Sequence, residues 1–172
     1  MAQWVTPELP AEIRNCGDDL EMRPLRSSDW EKGYIQLLAQ LTTAPLMPRA
    51  EFDAILRRMR DSKCYYTVVV EHLPTKKIVA AATLLVEFKL IRGGHLGGHV
   101  EDVVVDTAMR GRSLGIKIIL ALKSVAKDLG CYKLILDCSQ DNVKFYERCG
   151  MKLKEVQMAV YFPENQDRRP KL

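Results

Sequence analysis

The chain predicts an α/β domain built on a mixed, mostly antiparallel sheet flanked by helices. Three observations carry that expectation. Two β-rich runs, Tyr65–Val70 and Ile78–Phe88, are joined by Leu73-Pro-Thr-Lys-Lys77 and read as a hairpin. A valine-rich run from Val100 to Val105 passes into a short basic turn with two glycines, Arg110-Gly-Arg-Ser-Leu-Gly115. A helical stripe follows at once, with Ile118, Ile119, Leu122, Val125, Ala126 and Leu129 on one face.

The remaining elements fall in order around these. Residues 1–19 carry prolines at 7 and 10 and read as a flexible N-terminal arm. Leu20–Leu25 alternates and predicts a first strand. Ser28-Asp-Trp-Glu31 has the spacing of a capping box, so a helix is expected from there to about Leu41. Tyr34, Leu37, Leu38 and Leu41 would form its buried stripe. Pro48 opens a second helix, with Phe52, Ile55, Leu56 and Met59 at helical spacing. Lys89–Gly98 holds four glycines and is expected as a flexible basic loop. Gly130 supplies the stop of the long helix. Leu134–Cys138 reads as a buried strand. Asp141 or Asn142 caps a short helix, Val143–Cys149. Leu153–Phe162 reads as a last strand, and 163–172 as a polar tail. The folded domain is thus expected over 20–162.

Composition excludes several classes. With 172 residues, 47% hydrophobic and 28% charged, the chain has material for one domain with a core. A net charge of +4 suits phosphorylated small molecules and is too small to argue for nucleic acid. The five cysteines show no Cys-x-x-Cys pair and no zinc spacing, so reduced thiols and no metal are expected. The apolar runs fall far short of the ~20 residues of a membrane span, so no span and a cytoplasmic location are expected.

The stretch His99–Gly115 carries the chemistry. Glu101 and Asp102 are adjacent in a strand, so they should point to opposite faces. At least one would then enter a covered region, where a charge needs a partner or a task. The basic turn leaves N–H groups free at a helix start, a geometry that binds phosphate. It is not a nucleotide-triphosphate loop, because Ile116 stands where that motif has Lys. It is not a dinucleotide fingerprint either, which needs three glycines. Read alone, Asp137 could cap a turn, Tyr146 could be a core aromatic like Phe145, and Lys89–Gly98 could be a solvated loop. His99 reads as a strand-end residue packed at the sheet edge. Cys138 reads as a plain strand thiol.

The turn resembles the Arg/Gln-x-x-Gly-x-Gly/Ala turn of the GNAT acetyltransferase superfamily. Arg110 and Gly115 match its ends, and Ser113 replaces its middle glycine, which is tolerable if that position keeps negative φ. Asn142-Val-Lys-Phe-Tyr-Glu-Arg-Cys-Gly-Met151 resembles a second superfamily segment. Together with Gly98-His-Val-Glu-Asp-Val-Val-Val105, Gly130-Cys-Tyr-Lys133, Leu136-Asp-Cys138 and Leu41-Thr-Thr43, these stretches resemble the glucosamine-6-phosphate N-acetyltransferase family over roughly Leu20–Val160.

The resemblance implies a GNAT fold and a transferase of amino-sugar metabolism, in UDP-N-acetylglucosamine biosynthesis. It would move the acetyl group of acetyl-CoA directly to the amine of glucosamine 6-phosphate. It implies acetyl-CoA at Val103, Val104, Val105, Arg110, Gly111, Arg112, Ser113, Leu114, Gly115, Ile116, Asn142 and Tyr146. It implies the sugar phosphate at Thr42, Lys89, Leu90, Ile91, Arg92, Glu101, Asp102, Val103 and Asp137. Asp137 and Glu101 would act on the amine, and Tyr146 on the leaving sulfur. The family commonly places an arginine near Tyr161, absent here, where the next bases are Arg168 and Arg169. A homodimer with shared sites is implied through the last strand. Two other readings stay open: a peptide N-acetyltransferase on the same fold, and a non-catalytic acyl-CoA-binding module.

Overall fold

The computed structural model describes Leu9, Arg14 and residues 16–162. Five strands form one sheet in the order β1 to β5. They are β1 (Leu20–Pro24), β2 (Tyr65–His72), β3 (Lys77–Glu87), β4 (Leu96–Val105) and β5 (Cys131–Leu136). Four helices lie wholly within the described residues: α1 (Tyr34–Leu38), α2 (Arg49–Ser62), α3 (Leu114–Asp128) and α4 (Val143–Arg148). β1 to β4 pair antiparallel, and α3 carries the chain back so that β5 pairs parallel to β4. The mixed, mostly antiparallel sheet is therefore as expected. None of the described helices is long and apolar enough to cross a membrane.

The hydrophobic pattern explains the layers. α3 buries Leu114, Ile118, Ile119, Leu122 and Val125 against Met22, Val68, Val70, Ala82, Leu84 and Val100 of the sheet. α1 and α2 bury Tyr34, Ile35, Leu37, Phe52 and Leu56 on the opposite face, against Val69, Ala81 and Val104. Adjacent β2 residues thus enter different cores, and both faces are covered. That is why β2 and β3 read as continuous apolar runs.

β4 breaks the alternation. Thr83 pairs with Glu101 and Ala81 with Val104, so two steps on β3 face three on β4. The extra residue is a bulge at Asp102, whose φ is 53°. Val100 and Val104 would share a face in a regular strand, yet they enter opposite cores. The bulge inverts the parity of everything after it.

Several expectations are corrected. Glu101 and Asp102 are both exposed, because the bulge and the end of β5 pairing leave this level of the sheet open. The capping residue is Asp29, whose Oδ2 accepts from the Arg26 N–H at 2.8 Å, and Glu31 pairs with Arg49 instead. α1 consequently begins only at Tyr34, after a 3-10 turn over Ser27–Trp30, and Leu41 is exposed. Gly97 and Gly98 belong to β4, so the glycine loop ends at His95. β5 is half-exposed rather than buried, with Tyr132 and Ile135 facing out. Leu153–Phe162 forms no strand, since alternation alone supplies no partner backbone and the segment pairs with none of the five strands. The arm is held where it is described: Leu9 and Cys16 join the core, and Asp19 pairs with Arg112. The tail at 163–172, with Arg168 and Arg169, lies outside the described residues.

One buried charge network ties the closed end of the sheet. Arg23 donates to both oxygens of Asp29, at 2.8 and 2.7 Å, and to Glu71 at 2.5 Å. Lys32 also reaches Glu71, at 2.7 Å. Burial opposes the Glu71 charge, but the hydrogen bonds from Lys32 and Arg23 outweigh it and hold the carboxyl below its ordinary value. Removing one partner of such a network leaves a buried charge, a loss of about 3–5 kcal/mol. Asp29→Ala should show that loss in urea unfolding. A depressed carboxyl contributes stability above its unfolded pKa and loses it as pH falls through the folded value. Stability should thus fall on acidification below about pH 4.5, and Glu71→Gln should flatten that fall.

Candidate active site

The site grows from the split between β4 and β5. Their pairing ends at Val100 and Leu136, while β4 runs on to Val105. Beyond Val100, β4 keeps only β3 as a partner, so its other edge offers unpaired backbone groups. After the bulge, Val103 and Val105 lie on the α3 face and line a cleft of about 560 Å³. Arg110, Gly111, Ser113, Leu114, Gly115 and Ile116 form one wall, and Asn142, Phe145 and Tyr146 the other.

The turn before α3 is shaped for an anion. Gly111 and Ser113 both have positive φ, 82° and 59°. Ser113 therefore does not keep the negative φ expected of it; it holds the left-handed conformation despite its Cβ. The N–H groups of Leu114, Gly115 and Ile116 lie in the first turn of a 15-residue helix, where no intrahelical carbonyl reaches them. A Cβ at Gly115 would stand 2.9 Å from Phe145 Cζ, so glycine lets the helix start sit against the α4 aromatic. Phe145 packs edge-on to Tyr146, with ring centroids 4.9 Å apart. This residue, read from sequence as a core aromatic, is a wall of the cleft, and only its place beside Tyr146 signalled it. The residues present fit a CoA diphosphate and pantetheine arm.

Arg112 departs from its expected place. Its guanidinium pairs with Asp19, at 2.6 and 2.9 Å, and does not line the cleft. That partner holds Asp19 below the ordinary carboxylate range. Asn142 stands at the start of α4 but makes no side-chain capping bond; its side chain lines the cleft instead. Burial, followed by the neighbouring Cys138 and Cys149, pushes the Tyr146 phenol above its ordinary pKa, so it keeps its proton.

On the opposite face, carboxylates gather. Glu101 lies opposite Thr83, on the α1 and α2 side of the sheet. Asp137 follows β5 and is 3.3 Å from His99 Nε2, which is also 3.3 Å from Glu101. His99 is thus not a strand-end residue at an edge but lies within β4, between two predicted site residues. Nearby, Lys89 pairs with Glu87, while Leu90 and Ile91 are exposed. Arg92 stacks over Tyr132 of β5, 5.5 Å from the ring centroid. Thr42 is exposed in the loop after α1. Gln40 ties that loop to the end of β4, accepting from the Thr107 N–H at 3.0 Å.

Gly115→Ala tests the helix-start wall. The added methyl must displace Phe145, so CoA affinity measured by calorimetry should fall about tenfold, the equivalent of one weakened hydrogen bond. Affinity unchanged within error would show that the wall yields.

Comparison with known proteins agrees with this geometry. The model of the acetyltransferase (GNAT) family matches residues 22–151. A glucosamine 6-phosphate N-acetyltransferase of Dictyostelium discoideum is 42% identical over 146 residues, covering 85% of this chain and 93% of the relative. One of Trypanosoma brucei brucei is 42% identical over 142 residues, covering 83% and 95%. The crystal structure of glucosamine-6-phosphate N-acetyltransferase from Arabidopsis thaliana superposes with a TM-score of 0.82 at 41% identity, covering 84% of this chain and 99% of that one. The chain belongs to the GNAT acetyltransferases and, within them, to the glucosamine 6-phosphate N-acetyltransferase family.

Proposed function

We propose that the chain transfers the acetyl group of acetyl-CoA directly to the amine of D-glucosamine 6-phosphate, giving N-acetylglucosamine 6-phosphate and CoA. The observation that carries this reading is the two-sided split of β4. A phosphate-binding turn and a cleft lie on one face, and carboxylates with a basic loop lie on the other. The names of the relatives point to the same reaction.

Each group has a task. Arg110 and the N–H groups of residues 111–116 hold the diphosphate, and the open edge at Val103, Val104 and Val105 orients the pantetheine and polarises the thioester carbonyl. Asn142 orients the same arm. Acetyl-CoA supplies an activated acyl group there. Lys89 and Arg92 bind the sugar phosphate, with Leu90, Ile91 and Thr42 shaping the pocket. Asp102, Glu101 and Val103 border the sugar. Asp137 and Glu101 accept the proton that the sugar ammonium must lose before it can attack. Tyr146, kept protonated by burial, donates to the departing thiolate. A raised phenol loses its proton only above its ordinary pKa of about 10, so Tyr146 should impose no alkaline limb on kcat below that pH. With no arginine near Tyr161, the loop carries the phosphate.

A homodimer with shared sites also belongs to this reading. Val156, Met158, Val160, Tyr161 and Phe162 are exposed, as are Tyr132 and Ile135 of β5. A second copy would cover them. The reading places the enzyme in the cytoplasm.

The decisive assay is thiol release from acetyl-CoA with glucosamine 6-phosphate, glucosamine and a peptide in parallel. The sugar phosphate should be preferred. Preference for the peptide would make the chain a peptide acetyltransferase, and no release with any acceptor would make it an acyl-CoA-binding module.

Arg92→Ala should raise KM for glucosamine 6-phosphate about 10- to 100-fold, the worth of a charge-assisted hydrogen bond, and leave glucosamine kinetics nearly unchanged. Equal losses with both sugars would make the loop structural. Tyr146→Phe should lower kcat about 100-fold while acetyl-CoA binding and melting temperature stay near wild type. A donor with a better leaving thiol should suffer less, because it needs less protonation.

A further inference from the structure

His99 stands at the centre of charges that the reaction above leaves without a link. Its side chain is only 18% exposed. Nε2 faces Glu101 and Asp137, each at 3.3 Å. Nδ1 is 3.9 Å from Glu87, which in turn pairs with Lys89 of the basic loop. Every element around the ring contributes a charge: Glu87 of β3, Lys89 of the loop, Glu101 of β4, and Asp137 after β5. Lys133 of β5 also acts on Glu87. Yet Nε2 is buried and makes no aligned hydrogen bond among the described residues, although two carboxylate oxygens stand at ion-pair distance. A buried donor or acceptor in that condition calls for an explanation.

We propose that His99 is the positioning residue of the amine-binding end: its Nε2 stands between Asp137 and Glu101 and takes on the proton that they draw from the substrate. The assignment rests on the acetyl-transfer reading. Two carboxylates at one site repel each other, and the imidazolium that forms when the ring takes the proton relieves the repulsion. A neutral imidazole has one N–H and can serve either its Nε2 side or its Nδ1 side. Protonated, it serves both.

The proton balance is simple. The sugar ammonium gives one proton to the Asp137 or Glu101 carboxylate; the N–H bond breaks, its electron pair stays on nitrogen, and a carboxylic O–H forms. That acid passes the proton to Nε2 of the neutral ring, whose own proton sits on Nδ1 towards Glu87. The carboxylate is restored and an imidazolium forms, which returns the proton to water. Tyr146 protonates the departing thiolate, and the amine's second proton restores the phenol. Ammonium and thioester thus become amide, thiol and one free proton.

Three chains decide the matter: wild type, His99→Ala and His99→Gln, the last keeping an amide donor near Nε2 that cannot titrate. With glucosamine 6-phosphate, His99→Ala should lose about 100-fold in kcat and bind the sugar more weakly, with KM for acetyl-CoA near wild type. His99→Gln should recover the sugar KM but not kcat. An amide cannot accept the relayed proton, so in His99→Gln kcat should stay low while the sugar KM recovers. Wild-type kcat in His99→Gln overturns the assignment while leaving the reaction standing. A wild-type chain that releases no thiol with the sugar overturns the reaction, and the part of His99 with it. If His99→Ala melts early, the size-matched Gln variant decides alone.

Discussion

The bulge at Asp102 is the constraint on which the rest of the site depends. A strand presents alternate residues to alternate faces, and one inserted residue inverts that order for all that follow. Before the bulge, His99 and Glu101 face the side of α1 and α2. After it, Val103 and Val105 face α3 and line the cleft. An uninterrupted strand would aim Val103 and Val105 at α1 and α2, and Val104 into the core under α3. The cleft would lose its floor. Asp is suited to the position, because its short polar side chain tolerates the left-handed region better than a branched residue. The strained φ costs of order 1–3 kcal/mol. Burial of Val100 and Val104 in separate cores offsets it, because each anchors one side of the bulge.

The two ends of the sheet use charge in opposite ways. At the closed end, Arg23, Asp29, Glu71 and Lys32 pair with one another, and the 3-10 turn over Ser27–Trp30 is fixed to β1 and β2. At the split end, Glu101, Asp137 and Asp102 are solvated, and the cations Lys89 and Arg92 rest on an acid and an aromatic ring. Such contacts are partly exposed and worth little in water, so the phosphate proposed above would displace them at small cost. Rigidity at one end and unsaturated charge at the other follow from the same sheet.

Much of this was legible in the sequence, and the failures share a cause. Stripes that bury against their own chain, such as those of α2 and α3, are read directly from periodicity. So is the turn between β4 and α3, because residue types there answer to backbone geometry. The bulge was not legible: adjacent Glu101 and Asp102 signalled an anomaly, but parity cannot say which side yields. Asp29 was overlooked because the motif pattern favours Glu31, while a buried arginine on β1 claims the nearer carboxylate. Arg112 was placed in the cleft by the motif, whereas Asp19, 93 residues distant in sequence, holds it elsewhere. His99 looked peripheral because its partners Glu87 and Asp137 come from β3 and from the loop after β5. Periodicity reports what a residue buries and is silent on which distant charge it meets.

The segment from Leu153 to Phe162 shows the same limit from the other side. Its alternation satisfies every local rule for a strand, yet it makes no ladder in the single chain. A strand is a relation between two backbones, and propensity supplies only half of it. The sheet is open, with β1 and β5 at its edges, and the segment, which begins past α4, pairs with neither. Exposed Val156, Met158, Val160, Tyr161 and Phe162 form a larger apolar run than a solvated tail retains without purpose. The half-exposed β5, with Tyr132 and Ile135 outward, is uncovered in the same chain. Tyr132 also supports Arg92, so whatever covers β5 bears on the loop assigned to the sugar phosphate. The homodimer proposed above would cover the segment and β5 together.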